Sequence, residues 1–243
     1  MIRPSVRFFL LICVTAVWSV GRLPLSGADT APATDMKLRE LLGEAQSLQA
    51  RHQYVDALLK LEELEKNYPD SADLYNIRGS ILLSPSIRDF AAAEAAFQKA
   101  EALQPGGLAP TFNLAEVCFV KHDWAEAKRR FEKVRDSFPQ ANVQVRHLVM
   151  FKLVLCELKL ENVAGAEAIL ASSFTFMDDT PAYYLSKAAV AFQKKDEGAA
   201  NEWVDKARAI FGENQVVSYV DSLMEARWVV NIGLPPAPGD VRK

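Results

Sequence analysis

Few residues in this 243-residue sequence could do chemistry: three histidines (His52, His122, His147), three cysteines (Cys13, Cys118, Cys156) and some local charge clusters. A structural or catalytic metal needs several donors brought together. The sequence has no His-Glu-x-x-His and no Cys-x-x-Cys. His52 and His122 stand 70 residues apart in equivalent turns between apolar-periodic stretches, and His147 lies at the start of another. The expectation for the two turn histidines is solvated side chains, not ligands. Cys118 and Cys156 sit inside apolar runs, Val117-Cys118-Phe119-Val120 and Leu153-Val154-Leu155-Cys156. They read either as buried thiols, which behave as small hydrophobes, or as a disulfide in an oxidising compartment.

Nucleophile and phosphate motifs are absent: no Gly-x-Ser-x-Gly, no Gly-x-Gly-x-x-Gly and no phosphate-binding loop. Asp178-Asp179 beside a helix start reads as capping and solvated charge. Lys128-Arg129-Arg130, with Lys133 and Arg135, is the densest basic stretch, but Glu126, Glu132 and Asp136 interleave with it. That is a mixed helix surface and not a phosphate-binding stripe. A formal net charge of −3 also argues against nucleic acid as the partner. The expectation is a chain that is not an enzyme, with no catalytic residue, no metal and no cofactor.

Composition is that of a globular protein: 50% hydrophobic, 24% charged and 9% aromatic, which excludes full-length disorder. Residues 1–28 stand apart. Arg3 and Arg7 precede an uncharged apolar run that ends at Gly21-Arg22, and Ser26-Gly27-Ala28 supplies small residues. Basic, apolar and small, in that order, is the pattern of a secretory signal peptide. The alternative is an anchor through residues 8–21, a run of 14 against the ~20 that a membrane span needs. The expected location is therefore exported, periplasmic or extracellular. Loss of 1–28 would remove three arginines and no acid, moving the net charge from −3 to −6.

The remainder is a repeat. Tyr54-Val55-Asp56-Ala57 is followed by Leu61, Leu64 and Pro69; Phe90-Ala91-Ala92-Ala93 by Phe97, Ala100 and Pro105; Trp124-Ala125-Glu126-Ala127 by Phe131, Val134 and Pro139. The alanines at 57, 93 and 127 are 36 and 34 residues apart. Ala166 and Ala200, again 34 apart, continue the pattern with weaker letters. Ala45, Gly79, Ala115 and Ala188 supply a small residue upstream, where a second helix must come close. Ser71 is placed to cap one helix, and Thr180 to cap another with Pro181 at its first position.

These letters resemble the tetratricopeptide repeat (TPR), a helix–turn–helix of 34 residues. The resemblance implies an all-α fold, a right-handed α-solenoid of about five repeats at 38–71, 72–107, 108–141, 142–180 and 181–214. A flexible lead at 29–37 would precede them. A capping helix at 215–230 would close the stack, with Val216, Val220 and Leu223 inward and Asp221, Ser222 and Glu225 in water. A disordered tail would occupy 231–243.

The resemblance also implies a concave groove lined by the first helix of each repeat. Its positions fall on Arg39, Leu42, Gln46 and Gln49, then on Asp73, Asn76, Ser80 and Leu83, then on Phe112, Glu116 and Phe119. Later repeats offer Phe151, Leu155, Leu185 and Phe192. The candidate partner-binding set is Phe112, Glu116, Phe119, Phe151, Leu155, Leu185 and Phe192. The competing reading makes these side chains core, because 143–160 is apolar nearly all round. The functional expectation is a non-catalytic interaction module or scaffold of the cell envelope. It would bind a peptide or partner helix, with no nucleic acid, and would touch membrane only through an uncleaved N-terminus. An obligate structural subunit or homo-oligomer using the apolar face of repeats three to five is the alternative, and an accessory subunit of an envelope enzyme a remote one.

Overall fold

The structure is a computed structural model that describes residues 33–228; the segments read as signal peptide and tail lie outside the described residues, as do 29–32 of the lead, whereas 33–37 belong to the first helix. Eleven helices and no strand are present among the described residues. In chain order they are five helix–turn–helix pairs and a closing helix: α1 (Ala33–Ala50) with α2 (Tyr54–Asn67), α3 (Ala72–Leu83) with α4 (Phe90–Leu103), α5 (Leu108–Val120) with α6 (Trp124–Ser137), α7 (Val143–Lys159) with α8 (Val163–Ser173), α9 (Ala182–Gln193) with α10 (Glu197–Phe211), then α11 (Glu213–Glu225). This is the helix-pair architecture of an α-solenoid. By contact density the described chain forms two compact units, one of 33–121 with 136–138, the other of 122–135 with 139–228.

The sequence triplets explain the second helix of each pair. Ala57, Leu61 and Leu64 in α2 are buried, as are Ala93, Phe97 and Ala100 in α4, Ala127, Phe131 and Val134 in α6, and Ala200, Val204 and Ala207 in α10. Spacings of four and three keep each triplet on one stripe, while acids and lysines turn outward. The small residue upstream has a measurable reason at Gly79. A Cβ there would stand 2.6 Å from Cε1 of Phe97, a ring that is itself fully buried.

The turn inside each pair follows one rule that residue types do not announce. His52, Arg88, His122, Glu161 and Lys195 occupy equivalent turns, and all five have positive φ, between 53° and 63°. The next residue then caps the second helix. Asp89, Asp123, Asn162 and Asp196 each accept a backbone N–H three residues on, whereas Gln53 makes no side-chain cap. The two turn histidines thus serve backbone geometry. They are also not simply solvated: His52 Nδ1 lies 2.7 Å from the Tyr54 hydroxyl, and His122 stacks on Trp124 at 5.0 Å.

Within the first unit a charge cluster ties three helices together. Glu65 of α2 accepts from Arg78 Nη1 of α3 at 2.6 Å and lies 3.4 Å from Lys99 Nζ of α4. The Tyr75 hydroxyl is 2.7 Å from Glu65 and 2.9 Å from the Pro69 carbonyl. The Tyr75 hydrogen bond, then Arg78 and Lys99, hold the Glu65 carboxyl down at about 2. A depressed carboxyl stabilises the fold above its ordinary value of 4.5, and that contribution fades as pH falls from there towards 2. We therefore expect the urea midpoint of the first unit to drop over this window, and Glu65→Gln to flatten the drop. An unchanged pH profile in the variant would refute the assignment.

Candidate functional site

The expected groove positions lie on the first helix of each pair, so the side chains of α1, α3, α5, α7 and α9 are the ones to place. In the first unit this face carries an amide and hydroxyl ladder. Gln49 Nε2 of α1 donates to Ser80 Oγ of α3 at 2.8 Å. Asn113 Nδ2 of α5 donates to Asn76 Oδ1 of α3 at 2.8 Å. Polar groups amid Leu42, Leu83 and Phe112 are costly unless each is paired. Two atoms are not: Asn113 Oδ1 and Gln46 Nε2 are buried without a hydrogen-bond partner. Asn113 as a residue is 1% exposed.

The expected groove positions fare unevenly. Gln49, Asn76 and Ser80 make the ladder, and Glu116 is half-buried beside it on α5. Phe112 and Phe119, expected to face a partner, are buried. Asn113, which bonds Asn76 in that ladder, was not among the expected positions; it follows Phe112 by one residue, a rotation of about 100° on a helix. Its polar letter in an otherwise apolar run was the available signal.

In the second unit the expected apolar stripe is closed over. Phe151, Leu155 and Leu185 are fully buried, and Phe192 is partly exposed. The cover is α11, which packs on α7, α9 and α10. Tyr219 of α11 lies against Phe151 at 5.0 Å between ring centroids. Of the seven candidate residues, only Glu116 and Phe192 keep accessible surface in this structure. Two further expectations need correction here. Asp221 and Ser222 of α11 are buried, not in water, because α11 packs on three other helices; its exposed residues are Glu213, Asn214 and Gln215 of the first turn. Thr180 does not cap α9. Pro181 holds the cap position without a side-chain bond, and the Thr180 hydroxyl instead sits 2.7 Å from His147 Nδ1.

The remaining chemical candidates resolve into structural contacts. Asp178 closes a turn by accepting the Thr175 N–H at 2.7 Å and its hydroxyl at 3.0 Å. Arg129 and Arg130 both bind Glu126, at 2.6 to 2.7 Å, and hold its carboxyl down at about 2. Lys128 reaches Glu157 of α7 at 2.9 Å. Cys118 and Cys156 are both buried and form no disulfide. An open trough of about 440 Å³ lies between α8, α9 and α10, floored by Leu170, Val190 and Trp203, and the Lys194–Glu167 ion pair stands on its lining at 2.9 Å. No helix among the described residues is long and apolar enough to cross a membrane.

With this geometry in hand, comparison with known proteins is informative about fold. Residues 42–107 match the tetratricopeptide repeat family model. A comparison with curated proteins finds no match. Among solved structures, a tetratricopeptide repeat protein of Parabacteroides merdae superposes with a TM-score of 0.60 at 15% identity, over 78% of this chain and 71% of that one. A thermophilic TPR protein of Thermus thermophilus gives 0.58 at 18% identity, over 77% and 99%. The Pseudomonas aeruginosa protein pilF gives 0.57 at 16% identity, over 79% and 96%.

Proposed function

We propose that this tetratricopeptide repeat protein is a non-catalytic interaction module whose partner is an extended polypeptide segment, held on the first-helix face of α1, α3 and α5. The observation that carries the reading is the amide and hydroxyl ladder on that face, in which Gln49 and Asn76 keep accessible surface. A polypeptide backbone can hydrogen-bond those two accessible amides whatever its side chains. The Gln49–Ser80 and Asn76–Asn113 bonds fix the ladder beforehand, so little side-chain freedom remains to be lost on binding. The order of residues in 1–28 supports an exported protein, and with it a role in the cell envelope.

The test is in-cell photocrosslinking from position 73, an exposed residue one turn before Asn76 on α3. A few recurrent heterologous adducts are expected. Gln49→Leu should keep the helical circular dichroism and reduce those adducts about tenfold, the equivalent of one lost hydrogen bond of ~1.4 kcal/mol. Adducts indifferent to Gln49→Leu would refute the site. Adducts only to other copies of the chain would favour the self-associating subunit.

A further inference from the structure

The second unit contains a titratable group that the proposed binding face does not use. His147, half-buried on α7, meets Thr180 at 2.7 Å through Nδ1, and Thr180 is itself 2% exposed. The Tyr219 hydroxyl of α11 also hydrogen-bonds Thr180. One threonine hydroxyl therefore joins three elements: α7, the 174–181 segment and α11. Phe174 closes the site edge-on to the His147 ring at 5.3 Å.

We propose that this relay is an acid-sensitive latch: proton uptake by His147 loosens α11 and the 174–181 segment from α7 and favours exposure of the apolar face that α11 covers. The argument is one of proton counting. A threonine hydroxyl has one proton to give. With His147 neutral and Nδ1 accepting, the phenol donates to Thr180 and Thr180 donates to the imidazole, so every group is paired. An imidazolium can only donate from Nδ1. Thr180 must then accept, and since only one proton can lie between the Thr180 and Tyr219 oxygens, the other hydroxyl proton loses its acceptor. Burial already disfavours the cation and holds the His147 pKa below 6.5. Asp178 of the 174–181 segment opposes that shift, and Arg146 of α7 reinforces it.

The hinge is in place. Gly212 alone separates α10 from α11, at φ 75°. The far end of α11 is held differently: His122 Nε2 lies 2.9 Å from the Glu225 carbonyl, and Lys159 Nζ lies 3.9 Å above the Trp228 ring. A cationic His122 still donates to a carbonyl, so acid does not break that contact. Val216, Val220 and Leu223 remain apolar at any pH, so α11 stays closed in most molecules and the effect is on the open fraction.

Hydrogen exchange of the full chain, corrected for intrinsic rates, reads this directly. A native pKa below the open-state value favours closure fully at high pH, and the advantage is lost as pH falls below about 6.5. Between the two pKa values the opening constant of 174–181 and 213–225 should rise about tenfold per pH unit, then level off. Amides of α2 to α4 serve as the reference. In His147→Gln the slope should vanish; a slope equal to that of the unaltered chain would overturn the proposal. Nitrogen NMR of the unaltered protein at pH 7.5 tests the relay independently. Neutral His147 should carry its proton on Nε2, and a proton on Nδ1 would overturn it.

Discussion

Gly79→Val is expected to destabilise the first unit by about 3 kcal/mol, and to cost nothing further once Phe97 has been truncated. A Cβ at this position meets three atoms of the Phe97 ring at 2.6 to 2.8 Å, closer than carbon atoms approach without displacement. That ring has nowhere to go, being fully buried in a cluster with Leu83, Ala93, Leu114 and Val117. Overpacking of this kind costs ~1–3 kcal/mol, and expelling a buried phenylalanine bounds the loss at ~3–5 kcal/mol. Phe97→Ala alone should fall in the latter range. In the double variant the valine occupies part of the space the ring has left, so its stability should match or exceed that of Phe97→Ala. Urea midpoints of the four proteins form the cycle. Additive losses would mean that Gly79 is present for a reason other than helix approach. Gly43 is the internal control. A Cβ there would meet nothing within 4 Å, so Gly43→Ala should gain up to ~1 kcal/mol from helix propensity alone.

That glycine also shows what a sequence can disclose. Helix pairing follows from letters that are local and periodic. Ala57, Leu61 and Leu64 recur in phase as Ala93, Phe97 and Ala100, and burial follows in both helices. Ser71 was legible as a cap for the same reason, and it accepts the Leu74 N–H at 3.2 Å. The left-handed turn was not legible, because His52, Arg88, His122, Glu161 and Lys195 share a backbone angle and no side-chain property. Only the Asp or Asn that follows in four of the five turns hints at it. Thr180 misled because a capping letter before proline looks local, while its hydroxyl is used at a distance of 33 residues in sequence.

The proposed binding face was least legible of all. A groove position transferred with an error of one residue swings through about 100°, enough to exchange Phe112 for Asn113. In the second unit the difficulty is different. Phe151, Leu155 and Leu185 do lie on first helices, but α11 folds back across α7 and α9. That contact is long-range and leaves no periodic trace. The apolar stripe of α11 could be read, whereas its destination could not.

The Lys128–Glu157 pair should respond asymmetrically to loss of its two members. Glu157 of α7 is only 8% exposed at its side chain, whereas Lys128 of α6 is 30% exposed. Lys128→Met strands a buried carboxylate, and Asn162 Nδ2, at 2.9 Å, is a neutral donor that offsets little of the lost charge. Removing one partner of a buried pair costs ~3–5 kcal/mol, and partial access of water to this one places the expectation near the lower bound. Glu157→Leu removes the group that burial penalises. Its partner keeps water and Glu132, 3.9 Å away one turn along α6, so the expected loss is under ~1 kcal/mol. The double variant Lys128→Met, Glu157→Leu should recover to within ~1 kcal/mol of the unaltered chain, because Asn162 is exposed and its amide can turn to water. Urea unfolding followed by tryptophan fluorescence, which Trp124 on the same helix would report, measures all four. Equal losses in the two single variants would show that the pair is held by its mutual attraction, and that the burial of Glu157 is not what makes Lys128 necessary.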